Sequence, residues 1–190
     1  VLAPAGKTFL SGTFRLKSLV NLHVESGARI IGSERREDYP NEKLRCLIEA
    51  QDAEHVSLTG GGVIDGRGKL FMTEDLRYIY RGNVWRPRLI GLIRCRHVTV
   101  RDLTLRESAN WGLHLTGCRD VVIHGLRILN DLKIPNCDGI DPDHCRNVRI
   151  SDCHIEAGDD CIVIKNTPEF AELGPSEGIT VTGCTLMSTS

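Results

Sequence analysis

The sequence has few aromatic residues and almost no net charge. Phe, Trp and Tyr make up 5% of the 190 residues, and 24 basic side chains nearly balance 25 acidic ones, for a net charge of −1. This balance excludes a broad basic field that would recruit nucleic acid or an anionic membrane, so we expect neither partner. No apolar run approaches the ~20 residues of a membrane span. The 41% of hydrophobic residues therefore predicts an aliphatic core, and 19 glycines indicate many tight turns.

An internal repeat organises the chain. The segments C-R-H-V at 95–98, C-R-D-V at 118–121 and C-R-N-V at 145–148 lie 23 and 27 residues apart, and each begins an alternating apolar stretch. Weaker copies occupy residues 21–26, 55–60 and 178–183. Alternation with period two indicates a strand, and a corner followed by a second short apolar stretch comes after each one.

Strand, corner and strand recurring every 21 to 31 residues, with no helical stripe between them, predict an all-β fold, a right-handed parallel β-helix. A propeller blade needs about 40 residues, which is longer than this repeat. We expect residues 1–190 to form one domain of N-terminal and central coils, with further coils and a cap missing beyond Ser190. Short helical turns are predicted only at 74–80 and 168–174.

The eight cysteines have two interpretations. In a β-helix, Cys95, Cys118 and Cys145 occupy one position of successive coils, and Cys153 and Cys184 occupy another. Stacked cysteines of this kind behave as small apolar core residues. Four disulfides in a secreted chain are the alternative. The stacking favours free, structural cysteines, so the cysteine count does not establish an oxidising compartment.

Acidic residues cluster in two motifs, N-C-D-G-I-D at 136–141 and G-D-D-C at 158–161. From Asp138 to Asp159 is 21 residues, close to one coil, so the motifs are predicted to lie one rung apart on the same face. Asp159 and Asp160 can both face solvent only if Gly158 bends the chain, because a carboxylate in the core costs several kcal/mol. Repulsion between neighbouring carboxylates raises the pKa of one and leaves others ionised, as acid and base catalysis requires. A calcium site or a run of aspartates at corners is the alternative.

With these motifs the sequence resembles glycoside hydrolase family 28, the polygalacturonases. The resemblance includes P-A-G-K-T-F at 4–9, G-G-V-I-D-G at 61–66, Ser108, Trp111 and His114, and N-C-D-G-I-D resembles the family's N-T-D-G-x-D with Cys for Thr. It implies a pectin-lyase-like β-helix that hydrolyses α-linked galacturonic acid with inversion. It also implies no cofactor or metal, a pectic polysaccharide or oligogalacturonide as partner, and a full-length monomer.

The resemblance also implies residue roles. Asp159 becomes the general acid, and Asp138 and Asp160 hold and deprotonate the attacking water. Four residues are predicted to support or contact substrate: Asn136, Asp141, His114 and Lys165. For His114 a structural hydrogen bond is an equal alternative to substrate contact. For Lys165 the alternative is a solvated side chain at a corner of the coil.

Two departures from the family pattern leave other functions open. Ser188-Thr189-Ser190 stands where the family has G-H-G, and the chain stops before any R-x-K motif. A non-catalytic carbohydrate-binding β-helix is therefore one alternative, and a calcium-dependent pectate lyase is another. The resemblance implies a secreted or periplasmic location, whereas unpaired cysteines also suit the cytoplasm.

Overall fold

The alternating segments form parallel strands that stack from one repeat onto the next. In the computed structural model, which describes residues 1–41 and 44–189, the coils pass through three sheets, here called A, B and C, and the last two coils contribute strands only to A and B. The seven strands of sheet A are Leu2–Ala3, Asn21–Val24, Ser57–Thr59, Arg96–Arg101, Arg119–His124, Arg146–Ser151 and Glu177–Thr182. The seven strands of sheet B are Thr8–Ser11, Arg29–Gly32, Val63–Asp65, Thr104–Arg106, Arg127–Leu129, His154–Ala157 and Thr185–Ser188. The five strands of sheet C are Phe14–Leu16, Cys46–Gln51, Arg88–Ile93, Leu113–Thr116 and Ile140–Asp143.

The pairing register follows the repeat, and it confirms the predicted parallel β-helix. In sheet A, Val98 pairs with Val121, which pairs with Val148. All three side chains are buried, whereas Val122, one position later, is 38% exposed. Because side chains alternate between the two faces of a strand, one column of Val and Ile lines the core from coil to coil.

Corners between sheets A and B use left-handed backbone. Positive φ angles recur at one position of successive coils: Asp102, Gly125, Asp152 and Gly183. Glycine adopts this region without cost, and aspartate tolerates it better than most residues. The Gly and Asp corners noted in the sequence are therefore the residues that redirect the chain from one sheet to the next.

The cysteines are free, as the stacking interpretation predicted. The thiol of Cys118 is fully buried in the core between the coils that carry Cys95 and Cys145. Burial raises its pKa well above the ordinary value. Buried, protonated thiols of this kind pack as small apolar side chains.

The segment between strands Val63–Asp65 and Arg88–Ile93 differs from the prediction. Residues 74–80 do not form a helical turn; Met72–Asp75 and Tyr80–Gly82 form an antiparallel hairpin. Glu74 and Arg81 form an ion pair across it at 3.0 Å. Cross-strand contacts thus override the local helical tendency.

The described residues contain three short 3-10 helices: Arg36–Asp38, Gly68–Phe71 and Pro168–Leu173. The last of these confirms the predicted turn at 168–174. No helix in the described part of the chain is long and apolar enough to cross a membrane.

Two neighbouring positions on strand Arg119–His124 test the core assignment. Ile123 is fully buried, whereas Val122 is 38% exposed on the outer face. We expect Ile123→Ala to lower the free energy of unfolding by about 3 kcal/mol, because it leaves a cavity in the core. Val122→Ala should lower it by less than about 1 kcal/mol. Urea denaturation followed by circular dichroism measures both, and equal losses would contradict the inward assignment of Ile123.

Candidate active site

The outer face of sheet C gathers the residues that carry chemistry. Asp141 pairs with His114 on the preceding strand, and His114 pairs with Gly91 on the one before. On strand Ile140–Asp143, Ile140 belongs to the core cluster, so Asp141 and Asp143 share the opposite face. Side chains far apart in the sequence are thereby stacked along the coil axis.

The two acidic motifs lie on adjacent rungs, as the 21-residue spacing predicted. The Gly139 N–H donates to the carbonyl of Asp160 at 2.9 Å, and the Ile140 N–H donates to the carbonyl of Cys161 at 3.0 Å. Asp138 therefore neighbours the segment that carries Asp159 and Asp160. Asp159 is half-buried and Asp160 is exposed, while Asp138 is only 3% exposed.

Gly158 makes this arrangement possible by close approach. Strand His154–Ala157 ends just before it, and its N–H donates to Sγ of Cys137 at 3.1 Å. A Cβ at this position would collide with the carbonyl of Ile134. The chain turns away from sheet B here, which removes the following two aspartates from the core as the sequence required.

Lys165 lies between the two buried aspartates of the first motif. Its Nζ is 3.0 Å from Oδ2 of Asp138 and 3.2 Å from Oδ1 of Asp141. Burial and the neighbouring charge of Asp138 raise the pKa of Asp141 well above its ordinary value. Burial works against the ammonium of Lys165, but the two carboxylates outweigh it and raise the pKa of Lys165.

His114 is buried, and both of its ring nitrogens contact protein groups. Nη1 of Arg88 donates to Nδ1 of His114 at 2.8 Å, and Nε2 lies 3.3 Å from Oδ2 of Asp143. Asp143 also accepts from the N–H and the hydroxyl of Thr167. Burial lowers the pKa of His114, and the positive charge of Arg88 lowers it further against the opposing effect of Asp143. The structural alternative for His114 thus has observed partners, and its contact with substrate stays a prediction.

Asn136 supports the loop that leads into Asp138. It is exposed, adopts a positive φ, and its Oδ1 accepts from Nη2 of Arg86 at 2.8 Å. The same guanidinium donates to the carbonyls of Ala109 and Pro135. The excursion that carries Arg86 therefore lies against this loop, and the Tyr80 N–H adds a bond to the carbonyl of Lys133.

The segment that was compared with the family's G-H-G motif lies beside the aspartate pair. The Ser188 hydroxyl donates to the carbonyl of Asp159 at 2.6 Å, and the Thr189 hydroxyl donates to the carbonyl of Leu132. Ser190, the last residue of that comparison, lies outside the described residues. The hydroxyl groups of Ser188 and Thr189 therefore hold backbone carbonyls beside the aspartate pair, and whether the family's histidine is replaced or displaced stays open.

Sequence reasoning missed three residues of this site: Arg88, Asp143 and Thr167. The period-two pattern of residues 140–143 contained the signal for Asp143, since Asp141 and Asp143 fall on one face. Arg88 is the first residue of its sheet C strand, directly after an irregular excursion, and Thr167 precedes a 3-10 helix, so neither lies in the repeated sequence motif. Trp111, noted in the sequence, contacts His114 edge-on with ring centroids 4.7 Å apart.

The Lys165 cluster gives a stability prediction. We expect Lys165→Met to lower the free energy of unfolding at neutral pH by about 3 kcal/mol, because it leaves a buried carboxylate unpaired. Adding Asp141→Asn should recover part of this loss. Lys133→Met serves as the control, since its partner Asp75 is exposed and such pairs contribute about 1 kcal/mol or less. Equal losses at the two lysines in urea denaturation would contradict the cluster.

The neutral state of His114 predicts a pH dependence. The unfolded chain binds a proton near the ordinary pKa of 6.5, whereas the native state binds it only at lower pH. The free energy of unfolding contributed by His114 is therefore fully present above pH 6.5 and is lost as the pH falls through this region. The plot of the free energy of unfolding against pH should therefore be less steep in His114→Gln, by up to about 1.4 kcal/mol per pH unit below pH 6.5. Exposed His124→Gln is the control, and an unchanged slope in His114→Gln would refute the neutral assignment.

Comparisons with known proteins agree with this geometry. The family model of Glycosyl hydrolases family 28 matches residues 1–187. A probable polygalacturonase of Vitis vinifera is 34% identical over 183 residues, covering 86% of this chain and 36% of that protein. A polygalacturonase of Chamaecyparis obtusa is 30% identical, with 95% of this chain and 37% of that protein covered. The chain thus spans less than two-fifths of the length of these two relatives.

Solved structures give the same result for the fold. A hyperthermoactive exopolygalacturonase from Thermotoga maritima superposes with a TM-score of 0.83 at 27% identity, over 96% of this chain and 51% of that one. A family 28 exopolygalacturonase of Yersinia enterocolitica gives a TM-score of 0.80 at 22% identity over 97% of this chain and 42% of that one, which supports the fold alone. With a family model covering nearly all of its residues, the chain belongs to Glycosyl hydrolases family 28.

Proposed function

We propose that this protein hydrolyses α-linked galacturonic acid polymers of pectin with inversion of configuration. The observation that carries the proposal is the adjacency of Asp138 to the Asp159–Asp160 segment on neighbouring coils. Family membership and the polygalacturonase names of its relatives support the same substrate class.

In the proposed reaction, Asp159 donates its proton to the glycosidic oxygen while the bond from that oxygen to the anomeric carbon breaks. A water attacks the anomeric carbon from the opposite face, and Asp138 and Asp160 hold it and take up its proton. Inverting enzymes need roughly 6.5–9.5 Å between acid and base to admit this water. Rungs about 4.8 Å apart, together with the lateral reach of the side chains, provide room for such a gap.

The environment of Asp138 supports its assignment to the base. Its Oδ1 is buried and has no hydrogen-bond partner among residues 1–41 and 44–189, while Oδ2 contacts Lys165. An oxygen lone pair with no protein donor is available to a bound water. Lys165 and Asp141 are then supporting groups that set the charge around Asp138, and Asn136 supports the loop before it.

Reducing-end release from polygalacturonate tests the proposal. We expect Asp159→Asn to lower the rate at least ~100-fold, because general acid catalysis typically contributes that much. Asp102→Asn is the matched control, since it replaces an exposed corner aspartate on the same solenoid and should leave the rate unchanged. Proton NMR of the first product should show the β-anomer.

Three outcomes would overturn this function. Equal activity of Asp159→Asn and the unaltered chain removes the assigned acid. An unsaturated product that absorbs in the ultraviolet and disappears with chelator indicates a calcium-dependent lyase instead. Binding of oligogalacturonide without turnover by a folded chain indicates a carbohydrate-binding β-helix.

A further inference from the structure

Arg88 and Trp111 form a contact on the outer face of sheet C that the proposed catalysis does not use. The guanidinium carbon of Arg88 lies 4.3 Å from the centroid of the Trp111 ring. The N–H of Leu89, the residue after Arg88, donates to the carbonyl of Trp111 at 3.2 Å. Arg88 and Trp111 therefore lie on adjacent coils. Both side chains are half-buried. Strand Arg88–Ile93 is two rungs, roughly 10 Å, from strand Ile140–Asp143, beside which Asp138 lies.

A chain of hydrogen bonds through His114 and Asp143 fixes the orientation of the Arg88 guanidinium. Arginine has no lone pair, so Nδ1 of His114 must accept the bond from Nη1, which leaves Nε2 carrying the proton toward Asp143. Asp143 is in turn held by two bonds from Thr167. The chain Arg88–His114–Asp143–Thr167 therefore holds one edge of the guanidinium in place.

The other donors of Arg88 are unused. In the described part of the chain only Nη1 has a side-chain partner, and neither Nε nor Nη2 is sealed from solvent. The described residues also place no carboxylate within ion-pairing distance of Arg88, whereas Lys165, which contacts the same indole, has two. Arginine stays charged even when burial lowers its pKa, as it does here. This is a preoriented cation with no carboxylate at ion-pairing distance among the described residues, and the charges of Asp141, Glu169 and Asp143 act on it only from further away.

An unpaired guanidinium beside an indole fits one ligand chemistry well. Arginine forms paired hydrogen bonds with a carboxylate. The indole lies against this guanidinium at 4.3 Å and against Nζ of Lys165 at 4.5 Å, so its contacts here are with cations and help to orient them. A sugar that bears a carboxylate presents the matching anion. We infer that Arg88 and Trp111 form a subsite for the carboxylate of a uronic acid unit, next to the unit that is cleaved. Arg88 would bind substrate there, and His114 and Asp143 would be positioning residues.

This inference rests on the proposed function, but binding tests it separately. Isothermal titration calorimetry compares Asp159→Asn with Asp159→Asn/Arg88→Gln. The ligands are an oligogalacturonide of defined length and its methyl ester, which lacks the negative charge. We expect Arg88→Gln to weaken binding of the acid tenfold or more and to leave binding of the ester unchanged. Arg88→Lys should bind the acid more tightly than Arg88→Gln but less tightly than Arg88, since lysine keeps the positive charge and lacks the paired N–H donors of the guanidinium.

Controls separate a local effect from misfolding. Arg101→Gln removes an exposed arginine from sheet A and should change neither affinity. Circular dichroism checks each variant, and if Arg88→Gln does not fold, the acid and ester are compared on Asp159→Asn with and without Arg88→Lys. His114→Leu should weaken acid binding more than His114→Gln, because glutamine can still accept from Arg88.

Each result decides the inference. Unchanged acid binding in the Arg88 variants overturns it, as does equal weakening of acid and ester or the absence of any acid binding. If the acid binds in an Arg88-dependent way but no reducing ends are released, the subsite stands and the hydrolase proposal falls. If hydrolysis proceeds and Arg88→Gln raises KM with little change in kcat, both stand.

Discussion

The hydrogen bonds between one coil and the next, in a fixed parallel register, are the constraint on which the rest of the structure depends. They place each residue directly beside its counterpart one repeat away, so Val98 meets Val121 and Val148, and Asp141 meets His114. A slip of one residue would turn the core column outward and carry the site residues inward. Register therefore determines both the stability of the solenoid and the composition of its outer face.

The site combines two networks of buried charge that share one aromatic contact. In one, Lys165 balances the carboxylates of Asp138 and Asp141; in the other, Asp143 and His114 orient Arg88. Both cations contact the ring of Trp111. Burial raises the pKa of Asp141 and lowers that of His114, so it favours the uncharged form of each. In the first network the cation is paired with carboxylates, whereas in the second Arg88 has no carboxylate at ion-pairing distance among the described residues.

The repeat predicted much of the fold, because period-two alternation and corner residues are local signals. It predicted the stacked cysteines and the adjacency of the two acidic motifs for the same reason. It failed at residues 74–80, where the chain leaves the repeat and a hairpin packs against the loop before Asp138. There the outcome depends on partners more than fifty residues away, such as Lys133 for Tyr80, and no local pattern contains that information.

By itself the sequence determined the β-helix, the inward column of Val, Ile and Cys, and the pairing of Asp138 with the Asp159–Asp160 segment, since each follows from spacing along one chain. Only the tertiary structure decided which charges neutralise each other. It assigned Lys165 to two aspartates and joined Arg88 to His114 and Asp143. The physical reason is that ion pairing and burial depend on distances between coils. Spacing fixes those distances for backbone in register, but it does not fix where the ends of long side chains such as Arg88 and Lys165 lie.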